Sequence, residues 1–405
     1  MDARPLSLLS GVKIVAFTQF LLGPAAVQYL ADLGADVVKI EPPGTGAWER
    51  TWAGGDTFVN GVSAFYLVTH RNVRSLAVDL KRPEGQAIAR RVVAGADVLV
   101  ENFRPGVMDR LGLGYETARR LNPRLVYASA SGYGHDSPYR DLPGQDLLIQ
   151  ALTGLAAMAG RAQDPPTPAA AAVVDQHGAA LLAMGVLAAL FHRARTGEGQ
   201  RVEATMVQAA LDLQMEPLVY FLNGGIVERP REALGSAFHP APYGVYKTLD
   251  GHLALSLSPL KAVREALGGP PELAPYEDPQ RAMADREAIR RALDPLFRTR
   301  TTAEWLSRLR AKGIWCAPVH DYAQALEDPA VRHLDPVLEL DHPQGGRVRL
   351  LKHPLRYSAG SPALRRPPPV LGEDTDAILQ DLGYTPAEVD RLHHEGVVDG
   401  PAREP

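Results

Sequence analysis

Over its first 133 residues the chain alternates short apolar, β-branched runs with stretches of helical periodicity, and this alternation limits the folds open to it. Residues 12–16, 35–41 (ADVVKIE), 74–80 (RSLAVDL), 96–102 (ADVLVEN) and 124–133 (RLVYASASGY) read as strands. Runs this apolar are typical of strands buried on both faces. Between them, AAVQYLADLGA (25–35) follows a Gly-Pro pair suited to a first helical turn, with Gly34 placed to end the helix. PEGQAIARRVVAGA (83–96) is amphipathic and starts on proline. Together they predict an α/β fold, a doubly wound and largely parallel sheet covered on both faces.

The texture changes at residue 146, and helices are expected to dominate as far as Gly225, broken by the proline-rich loop RAQDPPTPAA (161–170). Residues 239–258 read as a hairpin turning at Asp250-Gly251, with charged helices at 280–298 and 302–312. A length of 405 residues exceeds what one core usually serves, so a second, smaller domain is placed at 226–330. Proline-rich connections at 361–369 then lead to a last helical piece, DTDAILQDLGYTPAEVDRL.

Charge and motifs exclude several function classes. A net charge of −4 offers no footprint for nucleic acid or an anionic membrane. The single cysteine, Cys316, excludes an internal disulfide and a thiolate metal cluster, and points to a reducing compartment. The N-terminal apolar run is broken at Ser10 and Gly11, so no signal peptide is read there. The longest apolar run, 179–191, is about two thirds of a bilayer crossing and is closed by His192, Arg193 and Arg195. It is read as a buried helix of a cytoplasmic protein. Glu41 at the end of the second strand would suit a dinucleotide ribose, yet FTQFLLGPAA has one glycine where GxGxxG needs three. Walker and HExxH patterns are missing, and HHE at 393–395 reads as a solvated helix face.

Asp175 stands out, in VVDQHGAALLAMGVLAALFHRARTGEGQ (173–200), where a short apolar run meets a long helix expected over 177–195. A carboxylate there can cap the helix by accepting its free N–H groups. It can equally serve as a nucleophile, kept ionised by the positive helix end.

Several segments, in order, carry a resemblance: KIEPPGTG (39–46), RSLAVDLKRPEG (74–85), ADVLVENFRPGVMDRLGLGYE (96–116), VYASASGYG (126–134), the Asp175 segment, APYGVYKTLDGHLALSL, GIWCAPVHDYAQALEDP and PPPVLGEDTDAILQDLGY. Across nearly its whole length the chain resembles the class III coenzyme A transferase family, which includes α-methylacyl-CoA racemases.

That resemblance implies an acyl-CoA:carboxylate CoA transferase in which Asp175 attacks the thioester, passing through an aspartyl mixed anhydride and an aspartyl-CoA thioester. Asp146 matches an acidic neighbour that positions substrates. Asn102, Phe103 and Arg104 match a segment contacting CoA, Arg110 a basic residue near its phosphates, and Asp79, Leu80 and Lys81 a segment near adenine and ribose. Pro42 replaces a basic residue found after KIE in formyl-CoA transferase. QFLLG (19–23) is more apolar than its counterpart, hinting at a larger acyl group. Racemases carry a His where this chain has Gln145, and Gln cannot relay a proton, so transfer is favoured over 2-methylacyl-CoA racemisation. A non-catalytic CoA-binding protein is the second alternative, and would tolerate Asp175→Ala. No tightly bound cofactor is expected; CoA esters and a carboxylic acid are the substrates. The resemblance further implies a large domain built from 1–225 and 331–405 around the small one, and an interlocked homodimer.

Overall fold

Lys13–Phe17 (β1), Asp36–Glu41 (β2), Val73–Val78 (β3), Val98–Glu101 (β4), Val126–Ser131 (β5) and Arg201–Thr205 (β6) form one sheet in the order β3-β2-β1-β4-β5-β6. All of these pairings are parallel, and a two-residue strand, Val398–Asp399, adds antiparallel to β3. The computed structural model describes residues 5–401, so Met1–Arg4 of the segment read for a signal peptide and 402–405 of the C-terminal return lie outside it. Strand β6 falls within the stretch from 146 to Gly225 where helices were expected to dominate, and corrects that expectation there. Its sequence, RVEAT, is polar and only partly buried, as an edge strand is, and so lacks the apolar run that marks the others.

Side chains alternate across the sheet, and each face has its own cover. On one face Val15, Phe17, Val38, Ile40, Leu76, Val78, Leu99 and Tyr127 pack against Ile88 and Val93 of the helix Pro83–Ala94. The same core takes Ile378 and Leu379 from Thr375–Asp381 and Val389 and Leu392 from Pro386–His394. Thus the last helices of the chain complete the core begun by its first strands. Arg365 and Arg366 donate their backbone N–H groups to Asn72 Oδ1 at 2.6 and 3.2 Å, and Arg71 pairs with the buried Asp32 at 2.6 Å. The expected final helix is two, because Thr385 caps a new one with a capping box to Glu388 and Pro386 opens it.

Leu22–Asp32 (α1) and the long helix Val173–Thr196 (α3) pack against each other beside the sheet; between them in sequence comes Asp146–Leu152 (α2). A Cβ on Gly178 would lie 2.7 Å from Leu22 Cδ1, so the missing side chain is what lets α1 and α3 approach. Helix α3 is long and apolar enough to cross a membrane by length and composition. Its residues Val174, Gly178, Leu182, Val186 and Ala189 are buried at helical spacing, whereas Met184 and Phe191 are exposed.

These elements, apart from the end of α2 beyond Ile149, belong to a first compact unit, made of the chain up to Ile149, Ala172–Leu213 and the chain from Pro336 onward. A second unit comprises Gln150–Ala171 and Gln214–Asp335, wider than the 226–330 expected. Polar contacts inside it explain the difference: Gln214 Nε2 donates to the Thr153 carbonyl at 3.2 Å, and Arg229 to the carbonyls of Ala159 and Asp164 at 3.2 and 3.0 Å. The hairpin pairs Gly244–Lys247 with His252–Leu255, and Cys316–Pro318 adds a third strand. Tyr246, Leu253, Ile289, Leu293, Phe297, Trp305 and Leu309 form its core.

Candidate active site

The chain runs outward from β1 to β2 and β3, then returns to place β4 on the other side of β1. At such a reversal the loops leaving the two central strands diverge, opening a crevice at their carboxyl ends where ligands of doubly wound folds bind. Here the crevice is a cavity of about 570 Å³, lined by Gln19–Leu22 after β1, by Asn102, Phe103, Arg104 and Pro105 after β4, and by Ser131, Gly132 and Tyr133 at the end of β5. Gln145, Asp146 and Asp175 complete it from the starts of α2 and α3.

Local constraints shape these loops. Asn102 Oδ1 accepts the Gln19 N–H at 2.8 Å while its Nδ2 donates to the Gln19 carbonyl at 2.8 Å, tying the β1 loop to the β4 loop. Gly23 makes room for that clamp, since a Cβ there would lie 2.8 Å from Asn102 Cγ. Phe20 takes the left-handed conformation, φ +61°, and donates its N–H to Glu49 Oε2 at 3.2 Å. Glu49 is buried and pairs with Lys39 Nζ at 2.7 Å, which also donates to the Thr18 carbonyl at 2.8 Å. Lys39 leads the charges and hydrogen bonds that hold the Glu49 carboxyl well below the usual range, against its burial. On the far wall Gly132 and Gly144 touch backbone to backbone: a Cβ on Gly144 would sit 2.4 Å from Gly132 Cα.

Helix α3 begins at Val173, four residues earlier than expected, and this corrects the reading of Asp175 as its cap. Ala172 occupies the N-cap position, while Asp175 lies within the first turn. The N–H groups that need a partner are served by Asp146, whose Oδ2 accepts from Val174 at 2.8 Å and Asp175 at 2.9 Å. No hydrogen bond to the Asp175 carboxylate is present among the described residues. Nor does the helix end keep that group strongly ionised: burial, with the Asp146 charge adding to it, pushes the Asp175 carboxyl up to about 7. The helix end is already occupied by one carboxylate, which repels the second.

Of the residues read from sequence, Asp175, Asp146, Gln145, Asn102, Phe103 and Arg104 come together around the cavity. Asp79, Leu80 and Lys81 do not line it; they follow β3, two strands away from β1, with Asp79 Oδ1 accepting the Lys81 N–H at 2.9 Å. Arg110 is not in the lining either, but its Nη1 and the Nη2 of Arg140, which is, both come near Gly106, 3.4 and 3.9 Å from where its Cβ would stand. Glu41 is withdrawn from any ligand: buried, it accepts from Arg50 Nε at 2.7 Å, the Ala47 N–H at 3.1 Å and Ser75 Oγ at 2.9 Å. His177 Nε2 meets Asp212 Oδ2 at 2.6 Å, outside the lining. Sequence reasoning missed Trp48, Trp52, Phe65 and Arg140, which all line the cavity, and met Phe20 only as part of the apolar QFLLG segment. Two tryptophans in five residues of a polar, glycine-rich loop were the available signal.

Comparison with known proteins shows the family of the chain. The family model described as CoA-transferase family III matches residues 9–375. Succinyl-CoA:glutarate CoA-transferase of Mus musculus is 31% identical over 406 residues, covering 98% of this chain and 92% of the relative. Succinyl-CoA–D-citramalate CoA-transferase of Chloroflexus aurantiacus is 33% identical over 406 residues, covering 98% and 99%. A crystal structure of a CAIB/BAIF family protein from Brucella suis superposes with a TM-score of 0.80 at 30% identity, covering 94% of this chain and all of that one. The chain belongs to CoA-transferase family III and is an enzyme of that class.

Proposed function

We propose that the enzyme exchanges CoA between an acyl-CoA and a free carboxylic acid through covalent intermediates on Asp175. The observation that carries this reading is a poorly solvated carboxylate without a hydrogen-bond partner among the described residues, opening on the cavity at the strand-order reversal. Asp175 attacks the thioester carbonyl, the C–S bond breaks, and a mixed anhydride and CoA thiolate result. The thiolate attacks the Asp175 carbonyl of that anhydride and releases the first acid, leaving an aspartyl-CoA thioester. An incoming carboxylate attacks this thioester and displaces the thiolate; the thiolate then attacks the new acyl carbonyl, freeing Asp175. One thioester is exchanged for another, so no external energy source is needed.

Asn102, Phe103 and Arg104 support CoA binding by their place in the cavity wall. Arg110 and Arg140, converging near Gly106, are suited to its phosphates. Asp79, Leu80 and Lys81 are assigned to the adenine and ribose end, away from the reacting carbonyl. Proton transfer at an α carbon is disfavoured because no histidine is among the described residues lining the cavity, and the Gln145 amide does not gain or lose a proton near neutrality. We also propose a cytoplasmic homodimer: Met184 and Phe191 on α3 are 61% and 68% exposed, which suits an apolar face covered by a second copy.

The test is to incubate the enzyme with acyl-CoA, quench with hydroxylamine, and map the product by peptide mass. A hydroxamate at Asp175 is expected; turnover with Asp175 unmodified would overturn the mechanism. Exchange of the α hydrogen of a 2-methylacyl-CoA for deuterium would favour the racemase instead.

A further inference from the structure

One flank of the cavity is aromatic. Phe20 and Trp48 have ring centroids 4.6 Å apart, Trp48 and Trp52 stack at 5.0 Å with 21° between planes, and Phe65 stands edge-on to both tryptophans at 6.3 and 5.1 Å. All four line the cavity that Asp175 lines, and Phe20, Trp48 and Trp52 each keep more than 40% of their surface exposed. Exposed rings of this size are costly to leave in water and are usually explained by what covers them.

The wall is held from below. Phe20 sits at φ +61°, a conformation that a bulky side chain adopts only when its surroundings impose it. Two devices do so: the Asn102 clamp on the preceding peptide, and the buried Lys39–Glu49 pair that receives the Phe20 N–H. Arg50, between Trp48 and Trp52, is fixed by Glu41 at 2.7 Å and by Tyr66 Oη at 2.6 Å. Rings set in advance lose little freedom when a ligand stacks on them. Arg104, after β4, and Arg140, after β5, also line the cavity, so it carries cationic groups as well as the aromatic wall.

We propose that one of the two acids exchanged at Asp175 carries an aromatic or comparably flat apolar group, which stacks on the Phe20–Trp48–Trp52 wall. This rests on the transferase reading. Ring faces and edges of the wall match the quadrupole of an aryl group, whereas a short dicarboxylate would set a second charge against apolar rings.

The full-length enzyme is assayed with one acyl-CoA donor and either 3-phenylpropanoate, succinate or acetate as acceptor. The aryl acid should exceed succinate in kcat/KM by at least about tenfold, the scale of one well-packed ring. Trp48→Ala should lower the aryl-to-acetate ratio of kcat/KM by about 10- to 100-fold, and Trp48→Phe should restore most of it. Quenching of tryptophan fluorescence by 3-phenylpropanoate gives a second readout, lost in Trp48→Phe in proportion to the ring replaced. Succinate preferred over the aryl acid, or a ratio unchanged in Trp48→Ala, would overturn the proposal. The two readings fail separately: hydroxylamine capture at Asp175 without aryl preference sinks only this inference, while turnover without capture sinks the mechanism beneath it.

Discussion

Asp146 and Asp175 are bound and opposed at once: the Asp146 carboxylate accepts the Asp175 backbone N–H at 2.9 Å while its charge disfavours ionisation of the Asp175 side chain. Burial is the larger cause and Asp146 the second, and together they bring Asp175 to about 7. Only the ionised form attacks a thioester. The expected profile of kcat/KM therefore falls about tenfold per pH unit below 7 and flattens above it. A rate flat down to pH 5 would show that the ionisation of Asp175 does not govern the chemistry.

Stability should move the opposite way. The folded state holds a proton on Asp175 that the unfolded state releases near its ordinary 3.8, so this group destabilises the fold progressively as pH rises from about 4 to about 7. Asp175→Asn removes that charge. At pH 8 the variant should be inactive yet more stable than the parent by on the order of 2 kcal/mol, the converted shift discounted for incomplete burial. Urea unfolding at pH 5 and pH 8 checks it, since the gain at pH 5 should be less than half of that at pH 8.

Asp146→Asn separates the two things that Asp146 does. The amide oxygen still accepts from Val174 and Asp175, so α3 keeps its start, but the charge is gone. The acidic limb of the pH profile should move to lower pH, though only part of the way, because burial remains. Asp146→Ala also leaves the buried Val174 N–H and the part-buried Asp175 N–H without that acceptor and should cost about 1–2 kcal/mol of stability. A limb that stays at 7 in the Asn variant would remove Asp146 from the electrostatics of the site.

Gly23→Ala sets helix propensity against packing. An alanine early in α1 should favour the helix by about 1 kcal/mol. Its Cβ, however, would meet Asn102 Cγ at 2.8 Å and Thr18 Cγ2 at 2.9 Å, and Asn102 cannot swing away without releasing the Gln19 peptide. The expected result is no gain in Tm and a marked fall in turnover. A more stable and fully active variant would mean that the clamp is dispensable.

How much of this was legible depends on whether the signal was local. Strands β1 to β5 announced themselves because burial on both faces leaves apolar runs, while β6 hid because an edge strand does not need one. Asn102, Arg104 and Asp175 were found through ordered motifs. The contacts they make were not, since the Asn102–Gln19 clamp joins residues 83 apart and the Gly132–Gly144 contact is a backbone approach with no sequence pattern. The start of α3 was misplaced because its N–H groups are served by Asp146, a carboxylate 28 residues from Val174, and not by a neighbouring cap.

Glu101 offers a test independent of catalysis. It ends β4 in full burial, its Oε2 accepting the Phe103 N–H at 3.0 Å, and burial above all pushes its carboxyl up to about 8. The Phe103 N–H and the Arg201 charge oppose the rise without cancelling it. A carboxyl raised in the fold binds a proton that the unfolded chain has lost, so it takes stability away as pH climbs from about 4.5 to about 8. Glu101→Gln keeps an oxygen for Phe103 and is neutral throughout. It should flatten the decline of unfolding free energy over that window by one proton's slope, giving an advantage on the order of 3 kcal/mol at pH 8.5 and little at pH 5. Because Glu101 and Asp175 are distinct sites, the gains of Glu101→Gln and Asp175→Asn should add in the double variant. A Glu101→Gln profile parallel to the parent's from pH 5 to 8.5 would show that the group is already ionised in the fold.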